Sequence, residues 1–446
     1  MQLLITNATL VTLNADREIF KSAEMLIDQD RIVQVGRIQR SSRAALRTID
    51  GSGMAVLPGF IHGHLHACQT LFRNTANGYS LLPWLSQRIW PMEAAHTEVS
   101  VRASADLTFA ELIKTGATGA LDMGTVHHTD AIFESAQTCG FRLTGGKAMM
   151  DIGHNVPARL QETTQSSMQE SVRLAKSWHQ AAGGRLRYAF APRFALSCSK
   201  GLLEGVANYA LANGLGIHTH ASENVEECEA VRAQTGKENV TYLDEVGIRG
   251  RHVTLAHGIW LNSRERQQVA QSGTTVCHCP SSNLKLASGI ADIPGMLKAK
   301  INVSLGADGA ACNNNLDIWT EMRLASLIHN LKGGSRSISP EEVLEMATLG
   351  GARALNIDDQ VGSLAPGKKA DFMMVDLRPL HAVPDSGDVV SQLVYSGHSE
   401  DVRHVFIDGQ WVLRDRVLQT LDEDAVKLEA QVQSKHLIAR AFSELR

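Results

Sequence analysis

The chain has 446 residues, 43% of them hydrophobic and 20% charged; that is enough to bury a large core and too much for one small domain, so a large domain plus a smaller one is expected. Lys and Arg number 43 against 47 Asp and Glu, a formal net charge of −4, and with no long run of either sign neither nucleic acid nor an anionic membrane is the expected partner. Seven cysteines without a paired framework fit reduced thiols. The opening MQLLITNATLVTLNADREIF shows no basic region leading into an apolar core and cleavage site, and no apolar run approaches a membrane span, so a cytoplasmic protein is expected.

In chain order, the alternating runs Gln2–Leu13 and Ala23–Val35 read as β-strands. From Met54 onward short buried runs alternate with helical segments, a β/α grammar. Eight strand candidates follow: Ala55–Ile61, Thr118–Met123, Phe141–Met149, Leu186–Ala191, Leu215–His220, His252–His257, Gly273–Cys279 and Ile301–Ala307. Helices are expected over Val101–Thr115, Gln165–Ala182, Lys200–Asn213 and Asn224–Thr235, two of them stopped by Gly183-Gly184 and Gly214. After a helix at Glu341–Leu355, strands return in Phe372–Asp376, Val402–Ile407 and Trp411–Leu413, with a hairpin turn at Asp408-Gly409. The expected architecture is α/β: a (β/α)₈ TIM-type barrel over residues 59–359, a small β-sandwich domain from both chain ends (1–58 and 360–423), and a closing helix in 424–446.

The strand ends carry the chemistry. The first runs into His62-Gly63-His64-Leu65-His66; residues two apart on an extended chain share a face, so His64 and His66 can address one metal. An isolated His-x-His is usually chance. Here, however, the fifth strand ends His218-Thr219-His220-Ala221-Ser222-Glu223, the sixth Ala256-His257 and the eighth Ala307-Asp308-Gly309, and core packing alone would not put ionisable residues at so many corresponding places. Three imidazoles and a carboxylate suit a borderline divalent ion such as zinc with a position left for water. No dinucleotide fingerprint or phosphate loop competes. An oxidoreductase lacks its cofactor motif, and a non-catalytic metal barrel leaves Glu223 and His257 without a purpose.

The ordered set PGFIHGHLH, HTHASE, LAHG and LGADG, with the terminal GSLAPGKKADFMMVD and VFIDGQWV, resembles the amidohydrolase superfamily in its cytosine-deaminase-like branch of aromatic aminohydrolases. The resemblance covers nearly the whole chain. It implies one divalent metal, zinc first with iron or manganese as alternatives, on His64, His66, His220 and Asp308. It also implies that Glu223 is the acid/base glutamate, that His257 contacts the attacking water and substrate, and that Asp308 takes the water's proton. Relatives with two metals take a carboxylated lysine from the fourth strand, whereas Lys147 lies in the third; a single metal is expected, with Lys147 buried for structure or facing substrate. Cys277-His278-Cys279-Pro280 lacks the spacing of the zinc nucleobase deaminases and reads as packed thiols.

For substrate, the stretch from Ala67-Cys68-Gln69 through Leu81-Leu82-Pro83-Trp84 to Trp90-Pro91-Met92-Glu93 is most similar to enzymes that deaminate 5′-modified adenosines: 5′-deoxyadenosine, methylthioadenosine and S-adenosylhomocysteine. The glutamate matching Glu93 holds the ribose hydroxyls there, and Trp84 and Trp90 read as an apolar wall or plain core. Pro192-Arg193-Phe194 instead resembles guanine deaminase, where the arginine and phenylalanine bind the purine, with Gln69 as a second ring contact. Guanine, 8-oxoguanine or a pterin such as isoxanthopterin, and s-triazine hydrolysis, therefore stand as alternatives. The expected partner is a small-molecule substrate, in a homo-oligomer of two or four copies.

Overall fold

The computed structural model describes residues 2–38, 47–385 and 387–443; residues 1, 39–46, 386 and 444–446 of the expected domain spans lie outside them. Eight parallel strands close a barrel: β1 (Phe60–Leu65), β2 (Ala117–Met123), β3 (Arg142–Gly146, continued by Ala148–Met149), β4 (Leu186–Pro192), β5 (Gly216–Ala221), β6 (Val253–His257), β7 (Thr275–His278) and β8 (Val303–Leu305). Each pairs with the next in sequence, and a parallel bridge between Leu65 and Asp308 joins the end of β8 to β1. Every residue of β1 and β2 is buried, as expected of parallel strands covered on both faces. Helices fill the crossovers; Thr97 caps Glu98–Lys114 with a capping box and Asn224 caps Val225–Thr235.

The expected first barrel strand Ala55–Ile61 divides at Gly59. Met54–Pro58 pairs with Phe372–Asp376 and Gln2–Val11 in the other sheet, and only Phe60 onward enters the barrel. Proline 58 has no N–H to donate, and a Cβ at position 59 would lie 2.0 Å from Thr118 Cγ2, so the chain changes sheets at the residue that has no side chain. The expected third strand breaks at Lys147. The expected helix Glu341–Leu355 divides at Thr348 (φ −125°, ψ −87°) into Pro340–Ala347 and Leu349–Ala354. Lys200–Asn213 ends at Gly214 as expected, whereas the helix before it ends at Trp178, ahead of the glycine pair.

Strands from both chain ends form a second, nine-stranded sheet, with Gln2–Val11, Ile19–Asp28 and Arg31–Gly36 on one side of Met54–Pro58 and Phe372–Asp376, Val402–Ile407 and Gln410–Arg414 on the other. The sheet folds back on itself: Ile32 N–H donates to Lys368 O (2.9 Å) and Ala370 N–H to Asp30 O (2.8 Å), closing the two layers over Met25, Ile27, Phe372 and Phe406. Asp408 and Gly409 both have positive φ, 49° and 89°, the pair of left-handed residues that a two-residue hairpin turn demands. Helix Glu423–Ala441 crosses back onto the barrel, tied by Lys114 Nζ to Glu423 (2.6 Å) and Arg440 Nε to Ala95 O (3.0 Å). Among the described residues no helix is long and apolar enough to cross a membrane.

Candidate metal centre and substrate pocket

All the polar strand ends meet at the C-terminal mouth of the barrel, where β/α barrels place their active sites. His64 lies within β1 and His66 one residue past it; His220 belongs to β5, His257 closes β6, and Asp308 follows β8. His66 Nε2 and His220 Nε2 are 3.2 Å apart, His64 Nε2 and Asp308 Oδ1 3.1 Å, and His66 Nε2 and Asp308 Oδ1 3.5 Å. Tetrahedral bonds of about 2.0–2.1 Å place donor atoms roughly 3.3 Å apart, so these are the edges such a site needs.

The hydrogen bonds behind the rings show that a cation fits. His66 Nδ1–H donates to Met123 O (2.8 Å) and His220 Nδ1–H to Arg193 O (2.7 Å); carbonyls only accept, so in each neutral ring Nε2 is a bare lone pair. Burial holds His66 down to about 4 and His220 well below the ordinary imidazole value, so neither lone pair is taken by a proton. Two lone pairs thus face each other across 3.2 Å beside a carboxylate, an arrangement that repels itself until a cation sits between them.

The carboxyls around this point are driven apart. Burial raises Asp308, but His64, His257 and His66 outweigh it and hold the group well below its ordinary value. Glu223 is pushed well above its own by burial, by Asp308 and by Glu227. His257 stands between them, its Nε2 3.6 Å from Glu223 Oε2 and 3.9 Å from Asp308 Oδ2. Asp308 and His257 take left-handed φ, 60° and 71°, and Ser222 beside Glu223 takes 53°; each such residue costs on the order of 1–3 kcal/mol and persists only where its surroundings over-determine it.

The expected substrate residues form a second cluster. Glu93 receives Arg193 Nη1 (2.6 Å) and Nη2 (3.2 Å) on its two oxygens and Gln69 Nε2 (3.0 Å) on one of them, all three side chains being buried. Burial alone would raise Glu93, and Arg193 reverses that. Arg193 and Phe194 reach the cavity beside Glu223, whereas Trp90 turns away into a neighbouring one. Lys147 serves the structure: its Nζ meets Glu162 Oε2 (2.5 Å) and Ala148 O (3.2 Å), and burial lowers its pKa. Cys277 and Cys279 are buried free thiols with their sulfurs 4.0 Å apart.

Sequence reasoning passed over three residues. His218 Nε2 lies 2.8 Å from His64 Nδ1, and its place two residues before His220 on one strand was the available signal. Ser282 donates to Asp308 Oδ2 (2.6 Å), and Asn283 accepts from His257 Nδ1–H (2.9 Å), which fixes Nε2 as the face toward Glu223. Both stand on the short helix Pro280–Lys285 after β7, and nothing in their spacing points to these partners.

Barrel, strand-end donors and opposed carboxyls define a β/α-barrel hydrolase that works with a divalent metal. The chain belongs to the amidohydrolase family, whose model matches residues 55–412. It is 36% identical over 442 residues to a 5-methylthioadenosine/S-adenosylhomocysteine deaminase of Pelotomaculum thermopropionicum, covering 98% of this chain and 99% of that one. It is 35% identical to a 5′-deoxyadenosine deaminase of Methanosarcina mazei, over 99% of each. The solved structure of an adenosine deaminase from Xanthomonas campestris with bound zinc superposes with a TM-score of 0.91 at 29% identity, over 98% of both chains.

Proposed function

We propose that the protein is a hydrolytic deaminase that replaces the ring amine of a 5′-modified adenosine with oxygen and releases ammonia, using zinc held by His64, His66, His220 and Asp308. The observation that carries the reading is geometric: His66 Nε2 lies 3.2 Å from His220 Nε2 and 3.5 Å from Asp308 Oδ1, and His257 Nε2 stands 3.6 Å from Glu223 Oε2 and 3.9 Å from Asp308 Oδ2, with burial driving Glu223 up and the imidazoles driving Asp308 down. Environments that separate two titratable groups in this way assign base and acid. When bound, the metal supplies a water acidic enough to lose a proton near neutral pH. Asp308 accepts that proton as the water oxygen adds to the amine-bearing carbon. Glu223 gives its proton to the adjacent ring nitrogen, and His257 Nε2 holds the adding oxygen in line. The C–N bond then breaks: the proton on Asp308 leaves with the amine as ammonia, and the hydroxyl proton of the new C–O group passes to Glu223 as the carbonyl forms, restoring its acid form. The names of the adenosine-type relatives support the nucleoside over a free base; Glu93, matched to the ribose-binding glutamate, is paired here with Arg193 and Gln69.

A guanine-type substrate is the second reading, favoured by Arg193, which lines the inner cavity while its guanidinium pairs with Glu93. Ammonia release from the zinc-loaded protein with 5′-deoxyadenosine, 5′-methylthioadenosine, guanine, isoxanthopterin and cytosine separates the two. The nucleosides are expected to react fastest. No release from any of the five, with the metal shown to be present, would sink the deaminase reading.

A further inference from the structure

The cavity at the metal centre holds only about 20 Å³, room for about one water. Its outer wall is the segment formed by helix Leu81–Trp84 and the π-helical turn Leu85–Ile89. Leu81, Trp84 and Leu85 face the centre, while Leu82, Pro83 and Ser86 face a second chamber of about 430 Å³ on the other side. Phe194 borders both spaces. A purine is too large for the inner cavity as it stands, so this segment has to shift for one to enter, and Phe194 is the side chain that borders both spaces. The ring then lies at the metal, and whatever projects from it extends into the outer chamber.

The chamber's chemistry is specific. Leu82, Trp90, Phe194, Leu196 and Ala230 line it beside five polar side chains, Gln87 and Gln234 among them, and no aspartate, glutamate, lysine or arginine does. Its buried polar feature is Trp90, whose indole N–H has no acceptor. A buried donor without a partner costs about 1–3 kcal/mol, and in this place it suits a thioether, ether or hydroxyl of a ligand. A zwitterionic amino-acid tail would meet no charged side chain there, whereas an uncharged group needs none.

Resting on the deaminase reading above, we propose that this chamber is the pocket for the 5′ substituent and selects short, uncharged, largely apolar groups: a 5′-deoxy or 5′-methylthio nucleoside rather than S-adenosylhomocysteine. The test is kcat/KM for 5′-deoxyadenosine, 5′-methylthioadenosine and S-adenosylhomocysteine, with the wild type and with Ala230→Trp, which fills the chamber from helix Val225–Thr235. In the wild type, 5′-methylthioadenosine is expected to exceed S-adenosylhomocysteine by at least about tenfold; a smaller ratio overturns the proposal. Ala230→Trp is expected to lower kcat/KM for 5′-methylthioadenosine about tenfold or more while 5′-deoxyadenosine stays within roughly threefold. Equal losses on the two, or none on either, overturn it as well, and the 5′-deoxyadenosine rate reports whether the variant folds. If the zinc-loaded wild type releases ammonia from none of the three, the deaminase reading itself falls and takes this inference with it.

Discussion

The two walls of the inner cavity are built differently. On the barrel wall, the side chains aimed at the metal position are held from behind: His66 by Met123 O, His220 by Arg193 O, His257 by Asn283 and Asp308 by Ser282. On the facing wall, the Leu81–Ile89 segment, the indole N–H of Trp84 is buried without an acceptor, and the helix carries a π turn. Partners on rigid strands keep reacting groups within the narrow tolerance that catalysis needs. An unpartnered donor on that wall is open to a ligand. The strands therefore carry the braced donor set, and the Leu81–Ile89 segment forms its cover.

The sharpest way to break this division is to remove a group from the barrel wall. His220→Ala deletes one of the two facing lone pairs, so metal content by elemental analysis should collapse and ammonia release should fall at least ~10³-fold. Full metal occupancy in that variant would show that His220 is no ligand. Glu223→Gln acts one step further out. The amide has no proton to give the ring nitrogen, so turnover should fall ~10²–10⁴-fold with metal content unchanged; an unaltered rate across pH would remove Glu223 from the proton path. Asn283→Ala leaves donor set and acid in place and frees only the His257 ring. A loss of about 10–100-fold in kcat, with KM changed little, is expected of a group that orients another, and Asn283→Asp, which keeps an acceptor for Nδ1–H, should recover part of it.

The strand-end donors were legible because period-two alternation is a property of sequence: His64 and His66 share a face whatever the details of packing. Their supports were not. Met123 and Arg193 contribute carbonyls, which every residue has, and only the register of β1 beside β2 and of β4 beside β5 brings those carbonyls to the rings. The tryptophans show the other limit. Trp84 and Trp90 read together as wall or core, yet six steps of about 100° leave them roughly 120° apart on a helix, and they face different cavities. The change of sheet at Gly59 had a local signal in the Pro58-Gly59 pair inside Ala55–Ile61, but what demands a residue without a side chain there is the approach of Thr118 from a strand about sixty residues on.

The smallest effect on turnover is expected furthest behind the barrel wall. Glu321, on helix Ile318–Ile328, accepts from Ser281 N–H (3.0 Å) and Asn313 Nδ2 (2.9 Å), bracing the loops that follow β7 and β8. Burial raises its pKa to about 7, the hydrogen bonds opposing only in part, against about 4.3 in an unfolded chain. The folded state therefore holds the proton more tightly. Glu321 contributes stability that is fully present below about pH 4 and is lost as pH rises through about 7, on the order of 3–4 kcal/mol in all. Glu321→Gln cannot ionise, so urea unfolding at pH 5, 6, 7 and 8 should show a shallower decline for the variant than for the wild type, whatever their absolute stabilities. Ammonia release at pH 7 should change less than about threefold, because the brace acts through backbone and not through a group that touches the reacting atoms. Parallel pH profiles would mean that the Glu321 carboxyl is already ionised in the folded protein.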